Sequence, residues 1–168
     1  MTQENKELLL KDLSARLPYG VRGKVKVDGV DTSKHDIDGF PLEVTFDVNV
    51  ELLRIDTGNY EIFVSTFDNN EDLGNYIEEC QTDETPWTIE EFTPYLRPMS
   101  SMTEEERNEY FDIKMQETER VALAEVYRPE AISIIMDWLN AHHFDYRNLI
   151  EKGLAVKAPK ELYKYGSI

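Results

Sequence analysis

The run PLEVTFDVNVELLRI, residues 41 to 55, constrains the fold of this chain more than any other stretch. Leu42, Val44, Phe46, Val48 and Val50 occupy alternate positions, so an extended backbone places all five on one face. A helix would scatter them, because adjacent helical residues point about 100° apart. Such a strand needs neighbours, and two candidates flank it. GKVKV alternates basic and β-branched residues, and YEIFVSTF follows DTGN, a natural reversal. Residues 51 to 55 continue the middle strand after a change of register. The turn-rich VDGVDTSKHDIDGF reads as a polar connection between the first two strands.

Helices account for much of the rest. In NKELLLKDLSARL, Leu9, Leu13 and Leu17, helped by Leu10, recur near helical spacing, while Lys6, Glu7, Lys11, Asp12 and Arg16 suit water. Pro18 and Gly20 end that helix. NEDLGNYIEECQTDETPW accommodates a short helix through Tyr76 and Ile77, weakened by Gly74. In WTIEEF, Thr88 can cap a short helix with Glu91 three residues on, stapled by Trp87 and Phe92. The longest candidate is SMTEEERNEYFDIKMQETERVALAEVY, where Thr103 and Glu106 form a capping box and three glutamates meet the positive end of the macrodipole. Pro129 opens another helix, with Ile132, Ile135, Met136 and Leu139 inward. The expected fold is α+β: a small antiparallel sheet of about three strands packed with several helices, and a helical C-terminal half. With no internal repeat or flexible linker, residues 1–168 are expected to form a single compact domain.

HHFDYRNLIEKGL, residues 142 to 154, gathers residues common in catalytic and metal sites, yet backbone chemistry explains most of it. Asp145 can cap a short helix from Tyr146 to Lys152, with Phe144 and Leu149 as the staple. Gly153 suits a left-handed stop that brings Leu154 to Leu149. His142 and His143 remain as candidate metal ligands with His35, which lies in a loop between acids. Adjacent helical histidines diverge, and no HExxH, HxH or paired CxxC supports zinc. DNNEDLGNYIEE puts Asp68, Asn70, Asp72 and Glu79 in calcium-loop register, but Leu73 replaces the required glycine and Asn75 the usual apolar residue. Cys80 is the lone cysteine; its neighbours Glu78, Glu79, Asp83 and Glu84 would oppose thiolate formation. Neither GxSxG, GxxxxGK[ST] nor GxGxxG occurs. No cofactor is expected, and the chain reads as a non-enzyme.

Charge says most about partners. The formal net charge is -16, and residues 61 to 145 hold 21 acids against 5 bases, so that region would repel phosphate backbones and anionic membranes. The last 23 residues reverse the sign, with 2 acids and 5 bases. The expected partner is therefore a protein with a basic surface, with no direct nucleic-acid and no membrane binding. No basic region followed by an apolar run opens the chain, and its apolar stretches fall short of a membrane span, so a cytoplasmic location is expected.

The phrases LLLKDLSARLPYGV, IEEFTPYLRPMSSMTEEE and WLNAHHFDYRNLIEKGLAVKAP resemble a family of uncharacterised proteins of gut Bacteroidales and their phages or mobile elements, over about Leu8 to Pro159. The resemblance implies a cytoplasmic, phage-associated accessory protein and assigns no catalytic residue. Three functions follow. A protein-interaction or accessory role leads, with Trp87, Tyr95, Tyr110 and Trp138 as aromatic candidates for the surface, although each also suits the interior. The alternatives are a metal-assisted hydrolase using His35, His142 and His143, and an acidic nucleic-acid mimic that occupies a host protein's basic groove.

Overall fold

Val25, Val27, Val48, Val50, Leu52, Ile62 and Val64 are all buried, and they fall on alternate positions of three paired strands. This is the period-2 pattern of the sequence turned into a core. The computed structural model describes residues 1–66, 86–124 and 129–163. The chain divides into two compact units, Met1–Pro94 and Tyr95–Ile168.

In the first unit, α1 (Gln3–Arg16) starts where the Thr2 side chain accepts the Asn5 N–H at 3.2 Å. It ends before a 3-10 turn at Leu17–Tyr19 and a left-handed Gly20. Leu9 and Leu13 are fully buried, as the spacing predicts. Asp12 and Arg16 are not at the surface as expected: both are fully buried. Arg16 Nε and Nη2 donate to the two Asp12 oxygens at 2.7 and 3.2 Å. Each charge is compensated by the other one helical turn away, which is what makes burial tolerable.

The strands are β1 (Arg22–His35), β2 (Pro41–Asp56), β3 (Glu61–Thr66), β4 (Trp87–Thr88), β5 (Phe92–Leu96) and β6 (Val156–Lys157). Their hydrogen-bonded order is β4-β3-β2-β1-β5-β6. Among the described residues, the β5–β6 strand pair is parallel and the other strand pairs are antiparallel. The expectation of a small antiparallel sheet of about three strands is thus wrong: the sheet has six strands of mixed direction. Three were hidden because β4 and β6 are two residues long and β5 carries Pro94. β5 tolerates that proline where its partner is Gly23. A Cβ on Gly23 would stand 2.6 Å from both the Phe92 ring and the Thr93 carbonyl. The strands approach closely because residue 23 has none.

WTIEEF is not a helix. Thr88 ends β4 and Ile89–Glu91 turn the chain into β5; Thr88 caps no helix, and its N and Oγ1 donate to Glu91 Oε2 at 2.7 and 2.8 Å within that turn. The expected helix through Tyr76 and Ile77 lies outside the described residues, as do the calcium-register residues Asp68, Asn70, Asp72 and Glu79, and Cys80.

The second unit holds α2 (Glu104–Ala124) and α3 (Pro129–Ala141). The capping box is formed as the sequence predicts: Glu106 N donates to Thr103 Oγ1 at 3.1 Å, and Thr103 N to Glu106 Oε2 at 2.8 Å. Trp138, Leu139 and Phe144 form the buried cluster, with Tyr110, Ile113, Ile135 and Met136 packed against it. The mixture of helix and strand is as expected. No described helix is long and apolar enough to cross a membrane.

Candidate interaction surface

β1 and β2 are far longer than their neighbours, and much of their length forms a two-stranded ribbon. β5 pairs with β1 at Gly23–Val25, and β3 pairs with β2 from Val50 onward. Between these contacts and the turn at Asp36–Phe40, the two strands pair with each other, with a register shift between Asp31 and His35, and among the described residues neither takes a further strand. VDGVDTSKH, expected to be a connection, is the outer half of β1. Pairing with the regular alternation of β2 holds Val27–Asp31 extended, and the register shifts between Asp31 and His35.

The ribbon is amphipathic. On one face Lys24 Nζ meets Asp47 Oδ2 at 2.5 Å, and Thr45 Oγ1 donates to Asp28 Oδ1 at 2.7 Å. These cross-strand contacts are made between polar groups of the ribbon itself. The other face continues the core outward. Val48 and Val27 are buried, but Phe46, directly opposite Val27, is 44% exposed and Leu42 is 37% exposed. At the tip Phe40 is 68% and Ile37 100% exposed.

The tip is built by its own hydrogen bonds. Asp36 Oδ1 accepts the N–H groups of Asp38 and Phe40, both at 2.9 Å. Asp36 N–H donates to the Phe40 carbonyl at 2.8 Å, and Gly39, at φ +83°, donates to the Asp36 carbonyl at 3.2 Å. An aspartate at the start and a glycine in the left-handed region are the residues this reversal requires. These bonds fix the backbone that carries Ile37 and Phe40.

A smaller exposed apolar stripe lies on α2, where Phe111 and Met115 stand one turn apart. Exposed Glu109, Asp112 and Lys114 surround them, so the stripe is not continuous with a core in the way the ribbon face is.

The residues singled out from sequence fall as follows. His35 ends β1 in the first unit, exposed and paired with Pro41. His142 and His143 lie in the second unit, at the stop of α3. His142 stacks on Trp138 at 4.0 Å and its Nδ1 lies 2.8 Å from the Trp138 carbonyl. His143 stacks on Tyr163 at 3.8 Å. The two rings thus turn to different aromatic partners. Among the described residues no group of three or more His, Cys, Asp or Glu is arranged to hold a metal ion.

The histidine pair completes a helix stop. Phe144 N donates to the Leu139 carbonyl and His143 N to the Asn140 carbonyl, both at 3.0 Å, and His143 has φ +57°. This is the Schellman pattern with histidine in the place glycine usually takes. The same pattern recurs downstream: Leu154 N reaches Leu149 O at 2.9 Å and Gly153 N reaches Ile150 O at 3.1 Å, with Gly153 at φ +69°. The expected stop at Gly153 and the Leu149–Leu154 closure are therefore present. The expected helix between Tyr146 and Lys152 is not; the chain makes turns there, because Asn148 at φ +58° breaks the helical path. Asp145 therefore caps no helix; its carboxylate accepts the N–H groups of Leu149 and Ile150 at 2.8 and 2.9 Å and closes the turns instead.

Of the aromatic candidates, Trp138 is buried and Tyr110 packs on it with ring centres 5.6 Å apart. Tyr95 is half-buried in β5, where its carbonyl accepts the Tyr163 hydroxyl at 3.1 Å; Trp87 is half-buried in β4. The large exposed residues of the ribbon, Ile37, Phe40, Leu42 and Phe46, were not singled out for interaction. The alternation of residues 42 to 50 pointed to Leu42 and Phe46, and it marks a face without saying whether protein covers it; nothing pointed to Ile37 and Phe40. No protein-family model, curated protein or solved structure matches the chain.

Proposed function

We propose that this chain is a protein-interaction module with an accessory role of the kind found in phages and mobile elements. It docks through the apolar face of the β1–β2 ribbon. The observation that supports this is the passage of one strand face from core to solvent: Val48 is buried, whereas Leu42 and Phe46 on the same face are exposed. Large exposed apolar side chains sharing one strand face are a common mark of a binding surface. The partner is a protein with a basic surface, because the chain carries a formal net charge of -16 and like-charged partners are repelled.

The test uses the full chain as bait in a Bacteroidales lysate, with Phe46→Ser and Leu42→Ser variants beside it. The expected result is one partner, captured by the native chain, greatly reduced with both variants, and basic at its contact surface. Calorimetry on the purified pair should show affinity falling as salt rises from about 0.05 to 0.5 M, through charge screening. Equal capture by all three baits, or an acidic partner bound without salt dependence, would contradict the proposal.

A further inference from the structure

We infer that the Asp36–Phe40 turn is the anchor of this interface: Ile37 and Phe40 enter an apolar pocket on the partner protein, and Asp38 meets a lysine or arginine on its rim. The inference rests on the ribbon being the docking element and adds which part of it carries recognition.

Two observations converge on the turn. Ile37 is fully exposed and Phe40 largely so, so neither is held in place by the core. A branched aliphatic and an aromatic side chain displayed together suit a pocket that desolvates both. The Asp36 carboxylate and the left-handed Gly39 fix the backbone beneath them. A turn ordered before binding loses less conformational freedom on docking than a loose loop would.

Charge selects the occupant. From Lys26 to Asp47 the ribbon carries two lysines against six acids. Asp36 is engaged in the turn, while the exposed Asp38 stands between the two apolar residues. Such a tip fits an apolar pocket with a cationic rim. A second copy of the chain would bring its own -16 charge to the contact, and an anionic bilayer would repel the tip in the same way.

The experiment replaces Ile37 in the full chain by the photo-crosslinker p-benzoylphenylalanine, with Leu53, 58% exposed on β2, replaced in the same way as control. After irradiation in a Bacteroidales lysate, the labelled partner and the labelled residue are mapped. The expected product forms from position 37 and not from position 53, at apolar residues flanked by lysine or arginine. With that purified protein, Ile37→Ser and Phe40→Ser should each weaken binding at least about tenfold, as anchor residues do. Asp38→Asn should flatten the salt dependence, and none of the three should alter the melting temperature materially.

A crosslinked dimer of the chain, flotation with vesicles of phosphatidylcholine and phosphatidylglycerol, equal labelling from both positions, or no product from position 37 would overturn the inference. If Phe46→Ser abolishes binding while the two tip variants bind normally, the tip inference fails and the ribbon proposal stands. If Phe46→Ser and the tip variants all bind normally, both fail.

Discussion

Arg97 and Glu106 meet as a two-point ion pair, Nη1 to Oε1 at 2.6 Å and Nη2 to Oε2 at 2.7 Å. The same carboxylate accepts the Thr103 N–H at the start of α2, and the same guanidinium lies 4.3 Å from the centre of the Phe144 ring. Arg97 N–H donates to the His143 carbonyl, and Asp145 N–H to the Arg97 carbonyl. One residue pair thus joins the end of β5, the first turn of α2 and the stop of α3. The second unit is organised around it.

Removing one member should be expensive. Glu106 is buried, so Glu106→Gln leaves the Arg97 charge without its counter-ion and should cost roughly 3–5 kcal/mol at neutral pH. Burial acts to raise the Glu106 carboxyl, but hydrogen bonds from Arg97 and the Thr103 backbone, the Arg97 charge and a contribution from His142 outweigh it and hold it below its ordinary value. A depressed carboxylate contributes stability that is full above its unfolded pKa of about 4.3 and is lost as pH falls through the lower folded value. The gap between native and Glu106→Gln proteins in urea melts should therefore close in acid. A gap that stays constant into strong acid would contradict this role for the carboxylate.

His143 occupies a left-handed position, which costs an L residue roughly 1–2 kcal/mol relative to glycine. His143→Gly should relieve that strain while losing the Tyr163 stack, for a small net change in denaturant melts. His143→Val keeps a Cβ, adds branching and loses the stack, so it should be clearly worse than His143→Gly. Equal melts for the two variants would show that backbone conformation is not what residue 143 supplies.

Gly23 gives a sharper steric test. Gly23→Ala places a methyl group 2.6 Å from the Thr93 carbonyl oxygen, a backbone atom that cannot rotate away. The β1–β5 pairing has to shift, with an expected loss of about 1–3 kcal/mol. A thermal melt as stable as that of the native chain would mean the strands are less closely packed than described.

What could be read beforehand was local. The alternation through Val48 and Val50, the Thr103–Glu106 box and the stop at Gly153 each have a residue-level cause, and each is present. The misses arise where a partner far along the chain decides. Val27 to Asp31 include two aspartates and a glycine, and pairing with Leu42 to Phe46 of β2 carries them in the sheet. Pro94 argues against a strand until Gly23 is seen beside it. Asp12 and Arg16 have ion-pair spacing on either side of the surface, and the sequence does not say which. A left-handed histidine leaves no mark at all, since nothing in the residue type announces it. The candidate surface was half legible: the face of Leu42 and Phe46 was marked by alternation, while alternation alone does not tell an exposed position from a buried one.

Hydrogen–deuterium exchange of the full chain with and without the captured partner tests the central claim most directly, because it maps protection along the backbone without any substitution. Binding is expected to slow exchange at residues 36 to 46, across the tip and the exposed half of β2, and to leave residues 104 to 116 of α2 unchanged. Protection confined to α2 around Phe111 and Met115, with the ribbon exchanging as in the free chain, would contradict the assignment of the ribbon as the docking element.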